Sequence, residues 1–156
     1  MIKVLFVCMG NICRSPMAEA IFKDIVAKAG LADRFEVDSV GTDAYHAGEM
    51  AHPGTRKILA RHDIESDCIS RRVTFDDLTE ADYILAMDHH NMSDLQSMGR
   101  QVSLDDRLYM LLSFAEGERL RDVPDPYYTG NFEEVYQLVE AGCRGLLARI
   151  REQEGI

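Results

Sequence analysis

Eight consecutive residues hold the densest chemistry in the chain: Cys8-Met9-Gly10-Asn11-Ile12-Cys13-Arg14-Ser15. Gly10 and Asn11 are the residue types that most readily take positive φ, so the segment can curl its amides into one concavity. Such a nest holds phosphate. Cys8 then lies at its floor, where the amides and Arg14 favour thiolate over thiol. A thiolate facing a bound phosphate is a nucleophile aimed at phosphorus. Arg14 carries the planar fork that clamps two phosphoryl oxygens. Ser15 can donate to the thiolate and ease its departure in a second step, while Asn11 fixes the loop. Ester cleavage also needs a proton for the leaving oxygen. Asp125, between Pro124 and Pro126 in Asp122-Val123-Pro124-Asp125-Pro126-Tyr127-Tyr128, is a carboxyl on a stiff loop that can supply it. The competing readings are a buried strand-end cysteine and an ordinary acidic turn.

These residues need elements to position them. Residues 2–7 are apolar apart from Lys3 and read as a strand buried on both faces. Ser15 suits a helix N-cap, Pro16 the first helical position, and Glu19 the positive end of the dipole. That helix is expected to run to Ala29 and stop at Gly30, with Ala18, Ile21, Phe22, Ile25 and Ala29 as its apolar stripe. The loop thus lies between a strand and a helix N-terminus, where anions bind in α/β sheets. Further strands are expected at Phe35–Val40, Tyr83–Met87 and Gln101–Leu104. Helices are expected at 54–61, after Thr74, after Asp88 to near Gly99, and from Phe132 to about Arg151. Strands alternating with helices imply a parallel α/β sheet.

The sequence has 156 residues, which suits one domain spanning 1–156. Its net charge is −10, which opposes nucleic acid and anionic membrane surfaces. The longest apolar run, Val4 to Met9, is far short of the ~20 residues a bilayer needs. Neither a signal peptide nor a disulfide framework is indicated, so Cys8, Cys13, Cys68 and Cys143 point to a reducing cytoplasm. Adjacent His89 and His90 should point to different faces and make a poor metal pair, and no cluster has zinc spacing. Met87, Met92, Met98 and Met110 read as gap-fillers, Arg71-Arg72 as a solvated or ion-paired surface, and Asp105-Asp106-Arg107 as a turn and helix cap.

Cys8 to Ser15, the helix start Arg14 to Ala20, and Asp125-Pro126-Tyr127-Tyr128 resemble the low-molecular-weight protein tyrosine phosphatases. Val37-Asp38-Ser39 and Asp82 to Asp88 extend the likeness over nearly the whole chain. The resemblance implies one α/β domain with a four-stranded parallel sheet, helices on both faces and an N-terminal phosphate-binding loop. It implies metal-free and cofactor-free hydrolysis of phosphotyrosine and aryl phosphates through a cysteinyl-phosphate. Cys8 maps onto the nucleophile, Arg14 onto the phosphate clamp, and Asp125 onto the general acid and later base. Met9, Gly10, Asn11, Ile12, Cys13 and Ser15 map onto the substrate-binding loop. Asn11, Ser15 and Ser39 map onto its polar support, and Tyr45, His46 and Tyr127 onto the cleft walls.

Cys13 maps onto a redox partner for Cys8, and Tyr127 and Tyr128 onto tyrosines that kinases modify. The implied partners are phosphotyrosine proteins, a cognate tyrosine kinase, and inorganic phosphate as product and inhibitor. Two positions depart from relatives. Phe35 stands where some carry a Trp near the cleft wall. Cys68 stands where some carry a His that supports the loop Asn, so that support must be rebuilt or absent. Arsenate reductases share the architecture but need relay cysteines, and none lies between Cys68 and Cys143. Protein-arginine phosphatases tend to carry Thr at the position of Ile12, so Ile12 favours phosphotyrosine. A non-catalytic phosphate-binding module would need neither Arg14 nor Asp125.

Overall fold

The computed structural model describes every residue except Asp105, together with all side chains except that of Gln101. Four strands, β1 (Ile2–Cys8), β2 (Phe35–Gly41), β3 (Tyr83–Ala86) and β4 (Leu108–Met110), form one sheet in the order β2-β1-β3-β4. All three pairings are parallel. The central β1 alternates between two cores. Val4, Phe6 and Cys8 enter one, built with α1 (Arg14–Lys28) and α6 (Phe132–Glu154). Leu5 and Val7 enter the other, which includes Leu78 of α3 (Phe75–Glu80) and Leu95 of α4 (His89–Met98). Burial on both faces explains the nearly unbroken apolar run that predicts this strand. The remaining helices are α2 (Pro53–Arg61) and α5 (Pro126–Thr129).

The first helix starts two residues earlier than Ser15 capping requires. Cys13 is the N-cap and Arg14 the first helical residue. Ser15 cannot cap because its hydroxyl is engaged with Asn11 and Cys8. Pro16 becomes the third helical residue, where its missing N–H still costs no helical bond. Glu19 lies beyond the first turn and is buried against Ser39 and Lys23, not at the dipole. Ala29 is exposed, and Met17 and Val26 complete the apolar surface in its place.

Gln101–Leu104 is not a strand. A 3-10 turn occupies Gly99–Gln101, and the fourth strand is Leu108–Met110. The apolar pair Val102 and Leu104 is used as packing against the α3/α4 core. Asp106 and Arg107 form a turn that leads into a strand, not a helix. Asp105 lies outside the described residues. Phe35 is also placed differently from expectation. It opens β2 at the end of the sheet away from the Cys8 loop, buried edge-on against Phe22 with ring centroids 5.5 Å apart. Met87 is fully buried, and Met92, Met98 and Met110 pack on the α3/α4 core.

Helix α6 presses closely on the chain just after β4. A Cβ on Gly145 would overlap the Phe114 carbonyl, and one on Gly142 would lie 2.7 Å from Leu111 Cγ. Among the described residues no helix is long and apolar enough to cross a membrane.

Candidate active site

The Cys8 loop leaves the C-terminal end of β1, beside the C-terminal end of β3. The β1–α1–β2 connection goes to one side of β1 and β3 lies on the other, so this is where the strand order switches. Ligand crevices form at such points. The loop's carbonyls are taken by donors around it. Cys8 O accepts from Thr42 N at 3.0 Å, Met9 O from Asp43 N at 3.1 Å and Ile12 O from His52 N at 2.7 Å. Gly10 O accepts from Ser70 Oγ at 2.9 Å, and Cys13 O from Thr55 Oγ1 at 3.0 Å. A trans peptide sets the next N–H opposite each carbonyl. The amides of Met9, Gly10, Asn11, Cys13 and Arg14 are thereby turned away from those donors.

Asn11 holds the bend in place. It takes φ of 56°, the left-handed region, while Gly10 does not. At Gly10 space is tight, since a Cβ there would come within 3.1 Å of the His46 ring. Gly41 is tighter, with a Cβ only 2.7 Å from Met9 O. Fully buried Asn11 donates through Nδ2 to Ser15 Oγ at 2.8 Å and Ser39 Oγ at 3.0 Å. Its Oδ1 accepts the backbone N–H of Arg71 at 3.0 Å and faces the Cys68 thiol at 3.9 Å.

Ser39 in turn donates to Glu19 at 2.6 Å and contacts Cys68 Sγ at 3.3 Å. Support for the loop Asn is therefore built here from a thiol, hydroxyls and a backbone amide. Cys68 is part of this network, whereas Cys143 is a core residue. Burial pushes both the Cys68 and Cys13 thiols up to about 12. Arg71 is indeed ion-paired, forked onto Asp77 with a second contact to Asp38.

Cys8 Sγ lies 3.0 Å from Ser15 Oγ. Ser15 Oγ accepts a hydrogen bond from Asn11 Nδ2, which leaves its own hydrogen to point at Cys8 Sγ or at the Val40 carbonyl 3.4 Å away. Arg14 is 3% exposed and donates through one terminal nitrogen to Asp88 Oδ2 at 2.6 Å and Val123 O at 2.9 Å. Its other terminal nitrogen is 3.4 Å from Asp125 Oδ2. Burial opposes the Arg14 charge, but Cys8, Asp88 and Asp125 outweigh it and raise the guanidinium's pKa. Burial likewise works against an ionised Asp88. The Arg14 bond and the Asn91 N–H prevail, holding its carboxyl below the usual range.

Asp125 caps α5 by accepting Tyr127 N–H at 3.1 Å, with Pro126 at the first helical position. It reaches a cleft of about 270 Å³ that Cys8, Met9, Gly10, Ile12, Cys13 and Arg14 also line. Tyr45, His46 and Tyr127 line it as well, joined by Asp43 and Tyr128. Tyr45 is 87% exposed, while His46 is half-buried, bonded to Glu49 at 3.0 Å. The expected site residues thus converge. Asn11, Ser15 and Ser39 stand behind the loop.

Sequence reasoning missed Asp88, Asp43, Thr55, Ser70 and the carbonyl of Val123. For Asp88 a signal existed, because residues just beyond parallel strands face the ligand crevice. The other four act through folded geometry. His89 and His90 also depart from expectation: their rings stack, with centroids 5.3 Å apart, instead of facing apart. His89 is drawn toward Asp122 by a 2.6 Å contact. Among the described residues no group of three or more His, Cys, Asp or Glu is placed to hold a metal ion.

A cleft lined by the Cys8 thiol, the Arg14 guanidinium and the Asp125 carboxyl has the groups that attack on a phosphate ester requires. Residues 3–155 match the family described as low molecular weight phosphotyrosine protein phosphatase. The chain is 50% identical to a Bacillus subtilis protein, the low molecular weight protein-tyrosine-phosphatase YfkJ, over 99% of both. The crystal structure of YfkJ superposes with a TM-score of 0.95 at 51% identity, covering 98% of this chain and 96% of that one. Staphylococcus aureus PtpA, another low molecular weight protein-tyrosine-phosphatase, is 44% identical over 94% of this chain and 92% of its own. A Drosophila arginine phosphatase superposes with a TM-score of 0.89 at 32% identity, covering 96% and 98%. On this evidence the chain belongs to the low molecular weight phosphotyrosine protein phosphatases.

Proposed function

We propose that this enzyme hydrolyses phosphotyrosine monoesters through a phosphocysteine on Cys8. The loop amides and Arg14 bind the phosphoryl oxygens, and the Cys8 thiolate attacks phosphorus. The ester bond breaks as Asp125 protonates the departing phenolate. Asp125, now a carboxylate, takes a proton from water, and the hydroxide end of that water attacks the phosphocysteine. Cys8 leaves as a thiolate steadied by Ser15, and inorganic phosphate is released. Phosphate fits the same nest and therefore inhibits competitively. Every proton and electron pair is assigned to Cys8, Asp125 or water, so the sequence of steps calls for no metal or cofactor.

The observation that carries this reading is the meeting of Cys8, Arg14 and Asp125 in one cleft, from opposite ends of the chain. The walls support the choice of ester. Ile12, Tyr45 and Tyr127 give a slot that an aromatic ring fills and a serine phosphate does not. Asp88 acts on the reaction by orienting Arg14. The phosphoprotein substrate class follows from the family. A cognate kinase is supported by the exposure of Tyr127 and Tyr128, 51% and 73%. Cys13 as redox partner of Cys8 is supported by their shared cleft, and a cytoplasmic setting by four buried free thiols.

The test is steady-state hydrolysis of p-nitrophenyl phosphate with EDTA present. Turnover is expected, and Cys8→Ser should abolish it. Turnover that survives this substitution would sink the mechanism. Peptides carrying phosphotyrosine, phosphoserine and phosphoarginine then rank the substrates, with phosphotyrosine expected first.

A further inference from the structure

The segment from Asp122 to Asp125 is fastened to the start of α4 in an unusual way. Asp88 caps that helix through Oδ1, accepting Asn91 N–H at 2.8 Å, while its Oδ2 holds Arg14. The next residue, His89, grips Asp122 twice. Its backbone N–H donates to Oδ1 at 3.1 Å, and its Nδ1 meets Oδ2 at 2.6 Å. Val123 follows, donating to Met87 O at 2.8 Å and accepting from Arg14 at 2.9 Å. Asp125 comes two residues later. One helix end thus holds the arginine through Asp88 and the acid-bearing segment through His89. Nothing in the reaction as assigned above uses His89, and the ring is 74% exposed, so it is not burial that keeps it there.

We propose that His89 is a positioning residue, acting through Asp122 to keep Asp125 in register with Arg14 and the scissile oxygen. This inference rests on the assignment of Asp125 as general acid. Proton transfer is sensitive to small displacements of the donor. The clasp is the solvent-facing fastening of the segment, and the Val123 bonds are the buried one. Its hydrogen bond to Asp122, followed by the charges of Asp122 and Asp88, raises the imidazole's pKa and favours the charged partner. The remaining titratable group against the ring is His90, which stacks on it.

The experiment compares kcat/KM over a series of phosphate monoesters, from p-nitrophenyl to alkyl, for wild type, Asp125→Ala, His89→Ala, His89→Gln and Asp122→Ala. Only poor leaving groups need the proton, so Asp125→Ala should steepen the dependence on leaving-group pKa strongly. His89→Ala should steepen it in the same sense, with alkyl esters losing roughly two- to fivefold more than p-nitrophenyl phosphate, the scale of an exposed ion pair. His89→Gln, whose amide can still donate to Asp122, should recover most of the slope. Asp122→Ala removes both bonds and should cost at least as much. A slope that steepens for Asp125→Ala but stays at the wild-type value for His89→Ala overturns the positioning role alone. A uniform loss across the series for Asp125→Ala overturns the acid assignment, and the inference with it. If Asp122→Ala does not fold, the two His89 variants decide.

Discussion

Asp88→Asn isolates what the buried carboxylate does for Arg14. Asp88 has two tasks, on two oxygens: Oδ1 caps α4 and Oδ2 accepts from the Arg14 guanidinium at 2.6 Å. Asparagine caps helices about as well as aspartate, so its Oδ1 can keep the Asn91 bond. The other oxygen becomes an NH2 group that faces the arginine donor to donor. The pair is 3% and 16% exposed at its side chains, so solvent replaces little of the lost bond. A hydrogen bond to a charged group is worth about 1.5–3 kcal/mol. If that energy orients Arg14 for the phosphoryl transition state, kcat/KM falls by roughly 10- to 150-fold at about 1.36 kcal/mol per decade. Arg14 keeps its bond to the Val123 carbonyl, which prevents complete loss.

The assay is kcat/KM for p-nitrophenyl phosphate, with the inhibition constant of inorganic phosphate and the Tm measured on the same preparations. Phosphate should bind less tightly in parallel with the loss of kcat/KM, while the cap preserves most of the stability. An Asp88→Asn enzyme with kcat/KM and phosphate affinity within a factor of two of wild type would refute the reasoning. The pH dependence gives a second check. A carboxyl held below its ordinary pKa adds stability above its unfolded value near ~3.9 and loses it as pH falls through the folded value. Asp88 is such a group. The Tm gap between wild type and Asp88→Asn should therefore be constant near neutrality and shrink below about pH 4.

Asn11→Ala should leave Ser15, Ser39 and the Arg71 amide without their shared partner and remove a residue suited to positive φ. A kcat loss of about tenfold or more is expected in stopped-time assays, and full activity would remove Asn11 from the loop's support. Gly145→Ala should lower Tm despite alanine's better helix propensity, because its Cβ overlaps the Phe114 carbonyl; thermal unfolding by circular dichroism checks it, and an unchanged or higher Tm contradicts the close approach. Asp43 lines the cleft in a protein of net charge −10. Phosphopeptides rich in Glu should react with lower kcat/KM than neutral ones, and added salt should narrow the gap. Equal salt dependence for both peptides would mean that charge does not select substrates.

Much of the fold was legible because its patterns are local. The apolar run of β1, the helix starts after Thr74 and Asp88, and the amphipathic stripe of α6 each reflect neighbours in sequence. The fourth strand was misplaced because Gln101–Leu104 and Leu108–Met110 are both short and part apolar, and only pairing with β3 decides between them. The site divides in the same way. Cys8, Gly10, Asn11, Arg14 and Ser15 are close in sequence, so their spacing alone reveals an anion nest. Asp125 stands out by its two flanking prolines.

The tertiary structure decided what surrounds them. It made Ser15 a partner of Cys8 instead of a helix cap, since Asn11 and Cys8 both reach its hydroxyl. It moved Phe35 into the core at the far end of the sheet from the cleft. It brought Asp88 and the Val123 carbonyl to Arg14, and Cys68 and the Arg71 amide to Asn11. Those contacts join residues far apart in the chain, and their strength depends on burial that no single segment has by itself. The chain's own sequence determined that an anion nest could form around Cys8, because loop and helix start are contiguous. Only the packing of β1 against β3, with α4 and the Asp122–Asp125 segment converging there, fixed the direction in which its arginine and acid point.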